Sequence, residues 1–196
     1  DARAAQLPGG TSVFRQPDSV HPDGFVLPFR LDTTRTSAQQ LHDLSHEWGP
    51  QHASLNGGKM DGWLAAHRAA DGVSGPLTMG YYTREDLPFY HALADAFTVC
   101  DGYHCSVLGP TYPNRLYFMS ASIDASGTHG GPALNNDAIL GHTTYGWETY
   151  PERLERAGVS WQVYYDMVDD YLENVLRFFP KFQPANAGTR LFDRGR

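Results

Sequence analysis

A threonine hydroxyl stands in a turn-rich stretch of this sequence where it could do chemistry, Gly109-Pro110-Thr111-Tyr112-Pro113-Asn114-Arg115. A β-favouring segment precedes the stretch, and the apolar residues after it predict a helix that starts close to Thr111. Backbone N–H groups and the positive end of the helix dipole converge at such a helix start, which makes it a site for an anion. The alternative is that Thr111 only caps the helix.

The pattern around Thr111 favours the chemical interpretation. A Thr followed one residue later by Pro-Asn, ahead of a helix, resembles the nucleophile turn of alkaline-phosphatase-like phosphoesterases and nucleotide pyrophosphatases. Further matches narrow the resemblance to the bacterial phospholipase C and acid phosphatase family of phosphoesterases. The matching blocks are Gln16 to Thr33, His46-Glu47-Trp48 with His52 and Asn56 to Trp63, Cys100 to Thr111, and Tyr150 to Trp161.

The resemblance implies hydrolysis of phosphate esters through a phosphorylated Thr111. A threonine hydroxyl is a poor nucleophile at neutral pH, so a metal ion or a base must stabilise its alkoxide. We therefore expect a divalent metal ion of unknown identity as cofactor, with Thr111 among its ligands. Asn114, Arg115 and Lys59 are candidate substrate-binding donors for the charge that builds on the phosphoryl oxygens, although Arg115 could equally form a structural ion pair.

Two histidines lie in a block that borders the active site in the family. His46 and His52 are six residues apart, and either could bind phosphate, protonate the leaving alcohol or ligate metal. A histidine in such a segment can also be a purely structural hydrogen-bonding group. We assign His46 as catalytic and His52 as substrate-binding on the strength of the matched block.

The chain also departs from the family pattern. An N-terminal Glu-Asn metal motif and a later Asp-rich, His-bearing segment are typical of full-length members, and neither is present here. We expect the chain to be the central portion of the catalytic domain. Phospholipid phosphodiesters are the expected substrates, with acid phosphatase activity of the same family, or a non-catalytic fragment, as alternatives. Secretion or a cell-envelope location follows from the resemblance alone.

The elements that must position these residues follow from periodicity and breaker residues. The resemblance implies an alkaline-phosphatase-like three-layer α/β sandwich, with helices on both faces of a mainly parallel sheet. This chain is expected to contain only a part of that fold. Residues 1–36 are predicted to be an extended N-terminal arm, and residues 37–196 part of a single catalytic domain. Helices are predicted from Ser37 to Leu44, between Gln51 and Arg68 with a break at Gly57-Gly58, from Asp86 (its cap) to Ala96, from the turn at Thr111, from a capping box of Thr149 and Glu152 to Gly158, and from Asp170 to Phe179. Strands are predicted at Phe97 to Cys100 and at Val159 to Tyr165. A surface loop is predicted over residues 124–142.

Composition limits the other functions. A formal net charge of −7 and the lack of a Lys/Arg stripe argue against a nucleic-acid partner. No apolar run reaches the roughly 18 to 20 residues that a membrane helix needs. Cys100 and Cys105 could form one local disulfide or remain two thiols, and the sequence does not indicate an oligomeric state.

Overall fold

The computed structural model describes residues 12–136, 144–164 and 174–183. The chain divides into two compact units, Asp1–His104 and Cys105–Arg196, called here the first and the second unit. Its described residues form mixed helix and strand structure with small sheets. The helices are α1 (Trp48–Leu55), α2 (Trp63–Asp71), α3 (Pro88–Ala96), α4 (Thr111–Ser120) and α5 (Tyr150–Arg156), with 3-10 turns at Asn56–Gly58, Gly72–Met79, Val175–Phe178 and Pro180–Phe182.

The strands are two residues long and form two separate pairs in the first unit. The strands are β1 (Gln16–Pro17), β2 (Phe25–Val26), β3 (Phe29–Arg30) and β4 (Gly80–Tyr81). The β1–β2 pair is antiparallel, with Gln16 opposite Val26, and the β3–β4 pair is parallel, with Phe29 opposite Gly80. The helix-covered parallel sheet expected from the resemblance is therefore represented in the described ranges only by these short ladders.

A buried glutamine joins the start of the first unit to α2. The Gln16 side chain is fully buried. Its Nε2 donates to the carbonyl oxygens of Val13 and Met60 at 2.8 and 2.9 Å, and its Oε1 accepts the Trp63 backbone N–H at 3.0 Å. That N–H is one of the first-turn donors of α2 that have no partner inside the helix. The segment predicted as an arm thus supplies a cap for a helix 47 residues further along the chain.

The region around the Gly57-Gly58 break folds as the sequence predicts. The chain forms α1 and α2 on either side of the 3-10 turn, and Gly57 has a positive φ of 63°. The helix predicted from Ser37 is wrong, because α1 begins only at Trp48. Local hydrogen bonds hold the earlier residues in turns instead, since Thr36 donates from both its N–H and its hydroxyl to the Asp32 carbonyl. Gly49 and Pro50 lie in the first turn of α1, where proline loses no hydrogen bond.

The helix predicted after Asp86 is confirmed as α3, but Asp86 does not cap it. Leu87 precedes the helix, and the buried Asp86 carboxylate instead accepts hydrogen bonds from Arg30, Thr33 and Thr83. The Arg30 guanidinium and the Thr83 groups hold the pKa of Asp86 well below its usual range. The carboxylate therefore fastens the loop before α3 to the segment that contains β3.

The strand predicted at Phe97 to Cys100 is wrong. These residues are irregular and exposed, with Phe97 71% and Val99 62% accessible, and α3 itself has no buried residue. An isolated β-favouring stretch becomes a strand only when a neighbouring strand pairs with it, and none of the described strands does so. Cys100 and Cys105 are both exposed free thiols.

The core of the second unit is an aromatic cluster around α4. Tyr145 and Phe179 pack edge to face with their centroids 5.8 Å apart, and Trp147 lies 4.5 Å from Tyr145 and 5.2 Å from Phe179. Burial raises the pKa of Tyr145. The buried members of this core are Tyr112, Leu116, Ile123, Ala133, Tyr145, Val175, Leu176, Phe179 and Phe182.

A loop organised by one carboxylate follows α4. Asp124 is 6% exposed and accepts the backbone N–H groups of His129 at 2.7 Å and Gly131 at 3.0 Å, together with the Ser126 hydroxyl at 3.0 Å. Burial alone would raise the pKa of Asp124, but these donors outweigh it and lower the value to about 2. The loop predicted over 124–142 is confirmed for residues 124–136, and residues 137–142 lie outside the described ranges.

The remaining predictions for the second unit are confirmed in part. Thr149 and Glu152 form the predicted capping box, and α5 ends before Gly158, whose φ is 70°. The strand predicted at Val159 is wrong over residues 159–164, which are irregular, and residue 165 lies outside the described ranges. Of the helix predicted over 170–179, the described part contains only the 3-10 turn Val175–Phe178. Within the described ranges no helix is long and apolar enough to cross a membrane.

Candidate active site

Thr111 is the exposed first residue of α4. The residue before the helix is Pro110, with φ −72° and ψ −172°, and Pro110 rather than Thr111 occupies the N-cap position. The interpretation of Thr111 as a mere helix cap therefore does not fit. The Thr111 hydroxyl makes no hydrogen bond within the described part of the chain, so its oxygen is available for chemistry.

The residues around Thr111 are buried and hold it in place. Tyr112 is 8% exposed, and its ring packs edge to face on Phe178 with the centroids 5.8 Å apart. Pro110 and Pro113 are fully buried. An exposed hydroxyl is thus mounted on a helix turn whose other side chains are packed into the core of the second unit.

One amide at this helix start remains for an anion. Pro110 and Pro113 have no N–H group. The Tyr112 N–H donates to the Asn136 side-chain oxygen at 3.1 Å. Among the described residues the Thr111 N–H has no acceptor, so it is the first-turn donor that could meet a phosphoryl oxygen beside the Thr111 hydroxyl.

Asn136 is a contributor to the turn that sequence reasoning missed. It lies 24 residues after Tyr112 in the loop that Asp124 organises. The available sequence signal was a Gly- and Asn-rich stretch, which indicates a loop but not the helix that the loop contacts.

Asn114, predicted to bind substrate, directs its amide to the chain's own backbone. Its Oδ1 accepts the Val107 N–H at 3.1 Å. Its Nδ2 lies within hydrogen-bonding distance of the carbonyl oxygens of Val107 (3.1 Å), Gly109 (3.0 Å) and Pro110 (3.1 Å). Arg115, the other predicted donor here, is half-buried and already takes part in an interaction of its own.

His46 lies in the first unit beside a buried His–Asp pair. The exposed His46 ring hydrogen-bonds through Nδ1 to the Leu44 carbonyl at 3.1 Å. The neighbouring Ser45 N–H donates to Asp71 Oδ1 at 2.8 Å, and Asp71 Oδ2 pairs with His67 Nδ1 at 2.8 Å. Burial alone would raise the pKa of Asp71, but the hydrogen bonds from His67 and Ser45 outweigh it and lower the pKa. An ionised Asp71 therefore holds the backbone next to His46.

His52 and Lys59 are exposed, His52 in the last turn of α1 and Lys59 directly after the 3-10 turn that follows this helix. The His52 ring stacks on Trp48, with centroids 4.4 Å apart, and its Nδ1 hydrogen-bonds to the Trp48 carbonyl at 2.8 Å. Lys59 makes no ion pair with any residue in the described ranges. It lies between Asn56 and Asp61, and the Asn56 side-chain amide donates to the Asp61 carboxylate at 2.7 Å. Asp61 thus orders the turn rather than the lysine.

The predicted site residues fall into two groups. Thr111, Asn114 and Arg115 share the first turns of α4 in the second unit, whereas His46, His52 and Lys59 belong to the first unit. A divalent metal needs several oxygen, nitrogen or sulfur ligands converging on one point. Over the described ranges, no three His, Cys, Asp or Glu side chains do so. These residues do not by themselves fit the expected metal, and the metal ligand role of Thr111 stays a prediction.

Comparison with known protein families tests the family membership that the turn at Thr111 suggests. The sequence model of the Phosphoesterase family matches residues 1–195. The chain belongs to this family. The family resemblance predicted from the nucleophile turn and its flanking blocks is thereby confirmed.

Several relatives within the phosphoesterase family are named phospholipases C. The chain is 50% identical over 150 residues to "Phospholipase C A" of Mycobacterium tuberculosis (strain ATCC 25618 / H37Rv), which covers 74% of this chain and 29% of that protein. It is 49% identical over 163 residues to "Phospholipase C B" of the same strain, covering 81% and 31%. It is 39% identical over 198 residues to "Non-hemolytic phospholipase C" of Pseudomonas aeruginosa, covering 100% and 27%. The chain thus spans less than a third of the length of these relatives.

Proposed function

We propose that this phosphoesterase chain carries the nucleophile of a phospholipase C-type hydrolase, which cleaves phospholipid phosphodiesters. The observation that carries the proposal is the exposed Thr111 hydroxyl, which has no partner among the described residues and is mounted at the start of the ten-residue helix α4. The names of the relatives support a phospholipid as the substrate class.

The reaction would proceed in two displacements at phosphorus. Thr111 Oγ1 attacks the phosphorus and loses its proton, the bond from phosphorus to the glycerol oxygen breaks, and that oxygen takes up a proton to leave as diacylglycerol. Water then attacks the phosphorus of the threonine-bound headgroup phosphate, and the bond to Oγ1 breaks. The phosphorylated headgroup leaves, and the hydroxyl is restored.

The other predicted residues have roles around this step. The Thr111 N–H would donate to a phosphoryl oxygen as negative charge builds on it. The family resemblance supports a catalytic role for His46 in acid–base chemistry and substrate-binding roles for His52, Lys59 and Arg115. The resemblance implies a divalent metal that stabilises the alkoxide, and we attach no step to it because the described residues do not form its site.

The remaining expectations become part of the proposal. Residues 37–196 would belong to one catalytic domain with the alkaline-phosphatase-like sandwich, and the protein would act outside the cell or in its envelope. These statements are supported by the family membership and by the bacterial relatives named phospholipase C.

The test is to replace Thr111 in the full-length protein. Because Thr111 is exposed and caps nothing, Thr111→Ala should leave the melting temperature unchanged and lower kcat on p-nitrophenylphosphorylcholine by about 10³-fold or more. Thr111→Ser keeps a hydroxyl at the same place and should retain turnover within about tenfold of the wild type. Turnover by the alanine variant at the wild-type rate would end the assignment of the nucleophile.

Two further assays separate the alternatives. Faster turnover of p-nitrophenyl phosphate than of p-nitrophenylphosphorylcholine would identify a phosphomonoesterase instead. Release of diacylglycerol from phosphatidylcholine vesicles, followed by mass spectrometry, would establish the phospholipase C reaction. The 196-residue chain assayed alone shows whether it is active without the remainder of a longer protein.

A further inference from the structure

We propose that Asn114 is a positioning residue that orients Thr111, and that it is not a ligand of the phosphoryl group. This inference rests on the proposed function, in which Thr111 is the nucleophile. It assigns to Asn114 a role that its place in the sequence, three residues after the nucleophile, does not distinguish from substrate binding.

The Asn114 amide joins the first turn of α4 to the loop before it. It pairs with Val107 at two points, accepting its N–H and facing its carbonyl oxygen, both at 3.1 Å. It also reaches the carbonyls of Gly109 at 3.0 Å and Pro110 at 3.1 Å. The Asn114 side chain, in the first turns of the helix, therefore binds the loop at the residues that lead into Thr111.

The donors of Asn114 are fully used by these contacts. A primary amide has two N–H groups, and three carbonyl oxygens share them here. Phosphoryl oxygens are acceptors, so only these N–H groups could bind them. Turning the amide toward substrate would release the carbonyl of Gly109, a buried residue, together with both contacts to Val107, and leaving a buried polar group unsatisfied is costly.

The carbonyls that Asn114 holds control the direction of Thr111. Pro110 has its φ fixed by its ring, so the remaining freedom of the peptide before Thr111 is the ψ angle of Pro110, which is −172°. Asn114 holds the Pro110 carbonyl, and that carbonyl turns with this angle. On the other side of Thr111, Asn136 and the core fix Tyr112. Without the Asn114 side chain, Val107 and Gly109 are no longer tied to α4, and the Pro110 carbonyl keeps only its backbone hydrogen bond to the helix.

The experiment compares catalysis with phosphate affinity in the full-length protein. Misplacing a reacting atom by about 1 Å can cost about 10²-fold in rate. Asn114→Ala should therefore lower kcat on p-nitrophenylphosphorylcholine by about 10²-fold, while the inhibition constant of inorganic phosphate stays within threefold of the wild type. Asn135→Ala is the matched control, because Asn135 is an exposed loop asparagine, and it should change neither quantity.

The outcomes separate this inference from the proposed function. A rise of more than threefold in the phosphate inhibition constant would make Asn114 a ligand, and a kcat within threefold of the wild type would show that it positions nothing; either result overturns the inference. Full activity of Thr111→Ala would instead remove the proposed nucleophile. Asn114→Ser keeps one donor and is measured in parallel, so that it carries the same test if the alanine variant does not fold.

Discussion

Replacing Gln16 by leucine should destabilise the first unit, because this glutamine satisfies three backbone groups from a fully buried position. Leucine fills similar space but offers no hydrogen bond. It would leave the carbonyls of Val13 and Met60 and the N–H of Trp63 without their partner. At about 1 to 3 kcal/mol for each buried unsatisfied group, and with water reaching part of them, the expected loss is about 3 to 5 kcal/mol. A domain has only about 5 to 15 kcal/mol of stability in total.

Hydrogen exchange read by mass spectrometry can localise this loss. The amides of α2 should exchange roughly 100-fold faster or more in Gln16→Leu than in the wild type, since each 1.4 kcal/mol is about a factor of ten in the opening equilibrium. The amides of α4 in the second unit serve as the internal reference. Gln39→Leu is the control, because Gln39 is exposed and should shift stability by no more than about 0.5 kcal/mol. A Gln16→Leu protein whose α2 exchanges within threefold of the wild type would refute the argument.

Two further predictions concern the acid stability and the packing of single positions. The pKa of Asp124 is about 2, below its unfolded value of about 3.9. Its stabilising contribution is thus complete above pH 4 or so and is lost as pH falls toward about 2. In Asp124→Asn the melting temperature should therefore depend less on pH between those two values than it does in the wild type. The same fall in melting temperature with pH in both proteins would contradict this. A Cβ added at Gly62 would lie 2.1 Å from the Ala53 carbonyl oxygen, so Gly62→Ala should destabilise the first unit by about 3 kcal/mol or more in urea unfolding. Gly102→Ala, with nothing within 4 Å, should be neutral, and equal midpoints for the two variants would count against the steric argument.

Local signals in the sequence predicted local structure well. The break at Gly57-Gly58, the helix start at Thr111 and the capping box of Thr149 and Glu152 each depend on residues within a few positions of one another. Their hydrogen bonds and backbone angles are determined nearby, so the sequence contains most of the required information.

Predictions that needed a distant partner were the ones that changed. Phe97 has strand propensity, yet no described strand pairs with its segment, and the turn just before Ser37 is held by a local hydrogen bond of Thr36 that competes with a helix. Asp86 was expected to cap the next helix but pairs with Arg30, 56 residues earlier. Long-range pairings of this kind cannot be read from spacing or periodicity.

The candidate site was predictable as a set of residue types but not as a set of roles. The pattern around Thr111 identifies the hydroxyl, and the structure adds that it is exposed at the start of α4. An asparagine near a nucleophile can donate either to substrate or to backbone, and only coordinates show where the Asn114 amide points. Asn136 lies too far along the chain to be linked to the turn by inspection.

The hydrogen bonds of Asn114 also bear on how this turn can vary among relatives. All its partners are backbone atoms, namely carbonyl oxygens, which every amino acid provides, and the N–H at position 107, which every amino acid except proline provides. Apart from proline at position 107, positions 107 and 108 are therefore free to accept any side chain that suits a half-buried place, whereas position 114 must keep a side chain that both donates and accepts at this length. Divergence should then collect in the loop while its closing amide persists, and a turn of this kind could be recognised where little else of the sequence is left.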